Sequence, residues 1–292
     1  MKMQSLSLEN EKILSYVRNL GPEKSDYNLL HCIAKEVNNS EKIQSFREII
    51  KPILTNDSLF GYTFNKPFGY AGDFILIEKI YQHHISSHQK YVKWDKFYHS
   101  LAATNAVRNR KDYFINEMER ISKKLKRNLN VLILGSGPAT DLEEYLKKYH
   151  LKKDKFTLLD IDAKAIMYSR IKLSVFGNNI NYIKKNVLRF ISDEKYDLIW
   201  SAGLFDYLND RFFVGLTKRL INNLTPYGEM IIGNFSDDNP TKNVMEVFGD
   251  WYLHYRSGKH LINLAKQAGA KSKYISIDNE KLGVNLFLKV QS

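Results

Sequence analysis

The stretch that decides the fold runs Val131-Leu132-Ile133-Leu134-Gly135-Ser136-Gly137-Pro138-Ala139-Thr140-Asp141. Its first four residues form a continuous apolar run, which is typical of a strand buried on both faces of a sheet. The two glycines permit a tight turn and leave bare backbone for a ligand to approach. A helix predicted from Asp141 to Tyr149 offers unpaired N–H groups at its start. The stretch therefore predicts a strand, a ligand-binding turn and a helix, in that order.

A second signal follows at the end of the next predicted strand, where Asp160 stands. A carboxylate at this point can accept hydrogen bonds from both hydroxyls of a ribose. NAD or FAD would use the same geometry. The dinucleotide fingerprint, however, has a third small residue where this chain has Thr140, with Pro138 ahead of it. The pattern favours a nucleoside-containing cofactor at the carboxyl edge of a parallel sheet and leaves its type open.

Short apolar runs separated by helical segments continue to the end of the chain. Strands buried on both faces and alternating with helices indicate a parallel sheet. The last two runs are joined by only residues 278–283, too few for a crossover helix, so they are expected to be antiparallel neighbours. We therefore predict an α/β fold, a Rossmann-like, mostly parallel seven-stranded sheet with an antiparallel terminal strand. The predicted strands are 130–134, 156–159, 181–183, 196–200, 230–235, 272–277 and 284–290.

The chain before residue 128 has a different pattern. Its apolar residues recur at helical spacing, which predicts helices around residues 13–20, 29–37, 46–54, 73–83 and 93–122. The segment Phe60–Gly72, rich in glycine and aromatic residues, is predicted to be an ordered loop. We expect two domains: a helical substrate or lid domain over residues 1–125 and a Rossmann-like catalytic domain over residues 126–292.

Composition and charge limit the classes of function that the protein can have. The 292 residues carry a net charge of +12 and a single cysteine, so no intrachain disulfide can form and a reducing, cytoplasmic setting is expected. No signal-peptide pattern and no membrane-length apolar run occurs in the sequence. The charge is predicted to be a solvated, lysine-rich surface; attraction to a polyanion or an acidic protein is the alternative. Nucleic acid is not an expected partner, because no nucleic-acid-binding motif accompanies the charge.

The motifs together resemble the class I S-adenosylmethionine-dependent methyltransferases. The matching residues are Gly135-Ser136-Gly137, Asp160, Asn186-Val187, Ser201-Ala202-Gly203-Leu204 and the turn from Leu220 to Met230. A narrower resemblance joins Gly69-Tyr70-Ala71-Gly72-Asp73, Gly203 to Leu208 and Asp250 to Arg256. That set looks like the bacterial group associated with biosynthesis of 3-hydroxypalmitic acid methyl ester.

The resemblance implies S-adenosyl-L-methionine as the cofactor and assigns its contacts by position. Gly135, Ser136 and Gly137 would border the methionine part, and Asp160 would hold the ribose. The adenine would lie against Ile161, Asn186 and Val187, while Ser201 and Gly203 would line the floor under the sulfonium. Arg108 could pair with the cofactor carboxylate, because a guanidinium matches carboxylate geometry.

Three groups are candidates for the acceptor side: Tyr70 with Asp73, Asp206 with Tyr207, and Tyr255 with Arg256. Tyr70, Asp206, Tyr207 and Tyr255 are the candidate catalytic residues, whereas Tyr70, Asp73, Asp206, Tyr255 and Arg256 are the candidate substrate ligands. Each group has a purely structural alternative: Asp73 and Asp206 can cap helices, and the aromatic rings can be packing. Arg256 could bind a substrate carboxylate.

The expected activity is methyl transfer to a carboxylate, hydroxyl or amine of a small-molecule or acyl acceptor, and the expected partner is a small-molecule or acyl-carrier-linked substrate. The alternatives are an RNA or protein methyltransferase that uses the basic surface, and a non-catalytic protein that binds the cofactor. No metal is predicted, because His83, His84 and His88 lack acidic or thiol partners at zinc-like spacing.

Overall fold

The computed structural model describes residues 8–150, 153–177 and 179–292. The chain forms two compact units. The helical unit comprises the residues up to Asn105 together with Pro240–Tyr252, and the sheet unit comprises Ala106–Asn239 and Leu253–Ser292. The described part contains no helix long and apolar enough to cross a membrane.

The helical unit is built around buried aromatic rings. Phe248 lies at their centre, with ring centroids 4.8 Å from Phe46 and 5.1 Å from Phe60. Phe248 belongs to a segment that follows the fifth strand in sequence, so two distant parts of the chain share this core. The helices are α1 (Leu8–Arg18), α2 (Tyr27–Glu36), α3 (Ser40–Ile50), α4 (Leu59–Asn65), α5 (Phe74–Tyr81), α6 (Gln89–Ser100), the start of α7 (Ala102–Leu125) and α11 (Lys242–Gly249).

Two local predictions for this unit were wrong. The predicted loop Phe60–Gly72 begins as helix α4, because the Ser58 hydroxyl accepts the Gly61 N–H at 3.0 Å and caps the helix. Only residues 66–72 form the turn. The single predicted helix over 93–122 is divided at Leu101, whose extended backbone (ψ 136°) separates α6 from α7.

The sheet unit confirms the predicted fold class. Seven strands are arranged in the order β3-β2-β1-β4-β5-β7-β6, and only β7 is antiparallel to its neighbours. The strands are β1 (Asn130–Leu134), β2 (Lys155–Asp160), β3 (Ile180–Lys184), β4 (Tyr196–Ser201), β5 (Leu224–Phe235), β6 (Ile275–Asn279) and β7 (Asn285–Gln291); the helices are the remainder of α7, α8 (Thr140–Lys148), α9 (Ala163–Leu173), α10 (Asp210–Ile221) and α12 (Gly258–Gln267).

Alternate residues of the central strands supply two cores. Leu132 and Leu134 of β1 belong to the core that includes α10 and α12, whereas Val131 and Ile133 belong to the core that includes α7 and α8. The order of the strands reverses at β1: β2 and β3 follow on one side of it, and the chain then returns to place β4 on the other side, parallel to β1. Ligands of open α/β sheets bind beside the carboxyl ends of the strands at such a switch point.

The two units do not coincide with the predicted domain boundaries at residue 125. Residues 106–125 of α7 lie in the sheet unit, and Pro240–Tyr252 lies in the helical unit. The assignment of a substrate or lid role to one part and of catalysis to the other stays a prediction.

Candidate functional site

The turn after β1 has the backbone that its glycines predict. Gly135 and Gly137 adopt φ values of +60° and +51°, in the left-handed region that favours glycine. The Gly135 N–H donates to the Leu159 carbonyl at 2.8 Å, which ties the turn to the end of β2. Ala139 is also left-handed, at φ +53°, and precedes α8 directly. The turn therefore needs glycine at two positions and is fastened to β2 by a backbone hydrogen bond.

Asp160 stands at the end of β2 and faces this turn. One of its oxygens accepts the Gly137 N–H at 2.9 Å, and the other accepts the Asp162 N–H at 2.9 Å. Burial raises the pKa of the Asp160 carboxyl, while these backbone donors act in the opposite direction. Each carboxylate oxygen has a second acceptor position. The side chain can therefore brace the glycine turn and still accept ribose hydroxyls.

The turns after β1 and β4 meet at the switch point. A side-chain carbon added to Gly135 would lie 3.1 Å from the Leu204 Cβ, and the Ser201 hydroxyl donates to the Leu134 carbonyl at 3.2 Å. Between them, the buried Ser136 hydroxyl has no hydrogen-bond partner among the described residues. A buried polar atom without a partner needs an explanation, and at the carboxyl end of a sheet strand a bound ligand is one.

An arginine that the sequence analysis did not select lies at this point. Arg110 is buried, and its Nη1 donates to the Ala202 carbonyl at 2.6 Å. A side-chain carbon on Gly203 would lie 3.2 Å from the same nitrogen. The Arg110 Nε is buried and unpaired among the described residues. The side chain thus offers an N–H donor beside the loop after β4.

Helical phase is the signal that could have found Arg110. Residues three or four apart on a helix share a face, and the buried face of α7 contains Phe114, Met118 and Ile121. Arg110 lies one turn before Phe114, whereas Arg108 lies on another side. Arg108 is half-buried, and desolvation lowers the pKa of its guanidinium.

The residues predicted to contact adenine lie after β2 and β3. Ile161 is 61% exposed at the edge of the sheet, which is unusual for an isoleucine directly after a buried strand. Val187 is buried, and the Asn186 side chain caps the short turn that follows β3 by accepting the Leu188 N–H at 2.8 Å. Lys185 donates its N–H to the Asp160 carbonyl at 2.9 Å, which joins this loop to the ribose-side residue.

Asp206 is 1% exposed in the loop after β4. Its carboxylate accepts the Phe235 N–H at 2.7 Å, and its carbonyl accepts the His254 N–H at 2.8 Å. Burial raises the pKa of Asp206 to about 6, although Phe235, Arg110 and Arg256 lower it. Tyr207 beside it is 40% exposed. Asp206 therefore joins the ends of β4 and β5, and Tyr207 is the member of the pair that solvent reaches.

Arg256 is 2% exposed and its donors are taken by protein acceptors. It donates to Asp210 at 3.0 Å, to the Asn234 side chain at 2.7 Å and to the Leu208 carbonyl at 2.5 Å. The guanidinium also lies 5.0 Å from the Phe213 ring centroid. These contacts fix the loop before α10 and occupy the guanidinium donors that a substrate carboxylate would need. The neighbouring Tyr255 is half-buried.

Tyr70 and Asp73 lie in the helical unit. The Asp73 carboxylate caps α5 by accepting the Ile75 and Leu76 N–H groups at 3.0 and 2.9 Å. Tyr62 hydrogen-bonds to Asp73, and both this bond and burial raise the pKa of the phenol. Asp73 thus has the capping role that was the structural alternative, and Tyr70 is partly exposed in the turn before it. Among the described residues, no group of three or more His, Cys, Asp or Glu is arranged to hold a metal ion.

Comparisons with known proteins agree with this geometry. Residues 131–228 match the family description "Methyltransferase domain". The chain is 30% identical over 99 residues to malonyl-[acyl-carrier protein] O-methyltransferase 1 of Ilyobacter polytropus, covering 34% of each protein. It is 28% identical over 131 residues to nodulation protein S of Sinorhizobium fredii, covering 42% of this chain and 58% of that protein. The matches thus span about a third to three fifths of these curated relatives.

Two solved structures show the fold. A possible exported protein from Bordetella parapertussis superposes with a TM-score of 0.66 at 14% identity, covering 99% of this chain and 97% of that one. Magnesium protoporphyrin IX methyltransferase from Synechocystis, with bound S-adenosylhomocysteine, superposes with a TM-score of 0.50 at 11% identity, covering 65% and 86%. Residues 131–228 are therefore similar to a methyltransferase domain, and the solved structures show that the chain has the fold of those proteins.

Proposed function

We propose that the protein transfers a methyl group from S-adenosyl-L-methionine to a small-molecule or acyl acceptor, with a carboxylate as the favoured acceptor group. The observation that carries the proposal is the switch point, where Asp160 accepts the Gly137 N–H and where the buried Ser136 Oγ and Arg110 Nε have no partner among the described residues. Residues 131–228, which match the methyltransferase domain, include the Gly135–Gly137 turn, Asp160 and the loop after β4.

The residues present fit this cofactor. Asp160 would accept hydrogen bonds from the ribose hydroxyls, and the adenine would pack against the exposed Ile161 side chain. Val187 and Asn186 would bound the adenine edge. Ser201 and Gly203 would form the floor. We assign the cofactor carboxylate to Arg110 and Ser136 rather than to Arg108, because their unpaired donors suit a buried anion. The bound cofactor supplies a methyl carbon already activated by positive sulfur.

The acceptor side favours a carboxylate. An amine or hydroxyl acceptor needs a base that reaches its proton, whereas a carboxylate does not. Asp206 is buried and holds the Phe235 N–H, so it suits a positioning role better than that of a base. Tyr207 and Tyr255 are accessible and can orient an acceptor oxygen by hydrogen bonding. Tyr70 stays a candidate on its sequence motif alone. With acceptor and methyl carbon held in line, orientation lowers the barrier.

An acyl chain bound to a carrier protein is one form of this acceptor. The names of two Ilyobacter polytropus relatives specify malonyl-[acyl-carrier protein] as the substrate of those enzymes. The narrower resemblance to the 3-hydroxypalmitic acid methyl ester group also points to an acyl carboxylate. We therefore propose free and carrier-linked acyl carboxylates as the first acceptors to test.

Calorimetry and mass spectrometry test the proposal in sequence. Titration of the full chain is expected to show S-adenosylmethionine binding and no NAD binding, and Asp160→Ala should weaken that binding by about 1–3 kcal/mol. The exposed Asp193→Ala is the matched control. Incubation with methyl-labelled cofactor and a panel of carboxylate, hydroxyl and amine acceptors should then label a carboxylate. NAD binding would reject the proposal, and cofactor binding without labelling of any acceptor would favour the non-catalytic alternative.

A further inference from the structure

The outer face of α9 exposes aliphatic side chains. Met167, Ile171 and Val175 are 60%, 68% and 79% exposed. They follow one another at intervals of four residues, so Met167 and Ile171 lie on one side of the helix and Val175 continues that side into the next turn. Single exposed apolar residues are ordinary, but a row of them on one element indicates a contact surface.

The same part of the chain has charge of one sign only. From Ala163 to Ser192 the sequence contains no acidic residue, and its basic residues are Lys164, Arg170, Lys172, Lys184, Lys185 and Arg189. Lys172 faces inward, 3.2 Å from Glu143 of α8. Lys164 and Arg170 are exposed beside the aliphatic row.

The positive charge extends from α9 to the sheet edge. The Arg170 guanidinium lies 4.9 Å from the ring centroid of Tyr182 in β3, the edge strand. Lys184 lies two residues further along β3, on the same side as Tyr182, and is exposed. We call this surface the α9 face: Lys164, Met167, Arg170, Ile171, Val175 and Lys184. Lysines protect edge strands from pairing, which accounts for Lys184 but not for the aliphatic row.

We propose that the α9 face rests on an anionic lipid surface. A helix that lies in a membrane interface combines aliphatic residues on one side with lysine and arginine beside them. A uniformly positive face matches a uniformly negative headgroup layer. A second copy of this chain is disfavoured, because it would bring like charges together. Nucleic acid is disfavoured too, since single strands are held by stacking on aromatic rings and aliphatic side chains add little.

Vesicle flotation of the full chain tests this proposal. The probes are vesicles of equal parts phosphatidylglycerol and phosphatidylcholine, and vesicles of phosphatidylcholine alone, both at 0.15 M salt. The protein is expected to float with the anionic vesicles only. Lys164→Gln with Lys184→Gln should weaken binding about fivefold per charge removed. Met167→Gln with Ile171→Gln should weaken it at least tenfold, because their burial in the interface is lost.

The control substitutions remove the same kinds of side chain, lysine and aliphatic, from other surfaces. Lys259→Gln with Lys266→Gln removes two exposed lysines of α12, and Leu282→Gln removes an exposed aliphatic. These variants should bind as the unaltered protein does, and all variants should keep its melting temperature. Equal loss in both lysine pairs would show non-specific attraction and overturn the proposal, as would absence of flotation. Tighter binding to polyglutamate than to vesicles would assign the face to an acidic protein instead.

Discussion

At the scale of single residues, the arginines of α7 decide how the cofactor is held. The Arg110 Nε is buried and donates to no described residue, and its Nη1 donates to the Ala202 carbonyl. A charged side chain is kept inside a protein when it has an anionic partner. The carboxylates of Asp141 and Asp206 lower the cost of its charge, since each interacts with it electrostatically. A ligand carboxylate would complete its hydrogen bonding.

We expect Arg110→Gln to weaken S-adenosylmethionine binding by about 1.5–3 kcal/mol, the usual contribution of a hydrogen bond to a charged group. Arg108→Gln should have a smaller effect. Calorimetry with decarboxylated S-adenosylmethionine separates recognition from simple structural damage: its affinity should be nearly the same for Arg110→Gln and the unaltered protein. Equal losses for both ligands would contradict the assigned contact.

Asp206 makes stability depend on pH in a defined direction. Its pKa is 3.8 in the unfolded reference and about 6 in the folded protein, so the folded state binds more protons between these values. Stability from this group is therefore lost as pH rises from about 4 to about 6. The free energy of unfolding of the Asp206→Asn variant, relative to that of the unaltered protein, should rise by roughly 2 kcal/mol between pH 4 and pH 7. Urea unfolding of both proteins across this range measures the difference, and a constant offset would contradict it.

At the scale of elements, the Arg256 guanidinium connects three segments of the sheet unit by hydrogen bonds. Its bonds connect the loop after β4, the Asn234 side chain in β5 and Asp210 at the start of α10. The His260 Nε2 of α12 donates to the other oxygen of the same carboxylate at 2.9 Å. Removing the guanidinium would leave several buried acceptors unpaired, each at a cost of about 1–3 kcal/mol.

Arg256→Ala is therefore expected to destabilise the protein by about 3 kcal/mol or more, and Arg256→Lys to restore only part of this, since an ammonium cannot reproduce the planar fork. Arg211→Ala, an exposed neighbour, should change stability by less than about 0.5 kcal/mol. Urea midpoints provide the measurement. An Arg256→Ala protein of normal stability that has lost acceptor turnover would instead restore Arg256 as a substrate ligand.

Elements with a regular apolar period were predictable. The strand Asn130–Leu134 has the predicted bounds, and the antiparallel pairing of β6 with β7 follows from the short link between them. The helix α4 was missed because its pattern is aromatic on several sides and its start depends on one serine hydroxyl. The role of Arg256 was also hidden, because its acceptors, among them Asn234 and the Leu208 carbonyl, are distant in sequence.

At the scale of the whole molecule, the chain leaves the helical unit after Asn105 and supplies its last helix, α11, only after β5. Phe248 of α11 is fully buried among rings of α3, α4 and α6. The core of the helical unit thus depends on a residue more than a hundred positions away from the other helices. Conversely, a chain shortened to begin at α7 would carry α11 without its partners.

Phe248→Ala should destabilise the helical unit by about 3–5 kcal/mol, the usual cost of removing a buried aromatic ring. Tyr252→Ala, at a half-exposed position of the same segment, should cost much less. Because Trp94 lies 6.4 Å from Phe248, tryptophan fluorescence during urea unfolding follows this change. Equal midpoints for the two variants would show that α11 contributes little to the core.

The late position of α11 in the sequence also delays folding of the helical unit during synthesis. The ribosome must produce about 150 further residues after the sixth helix before Phe248 emerges, which takes on the order of 10–30 s at ordinary elongation rates. During that interval the rings of Phe46, Phe60 and Phe97 lack their contacts with Phe248. The nascent protein should therefore need chaperone protection at its N-terminal end longer than a chain whose domains are contiguous.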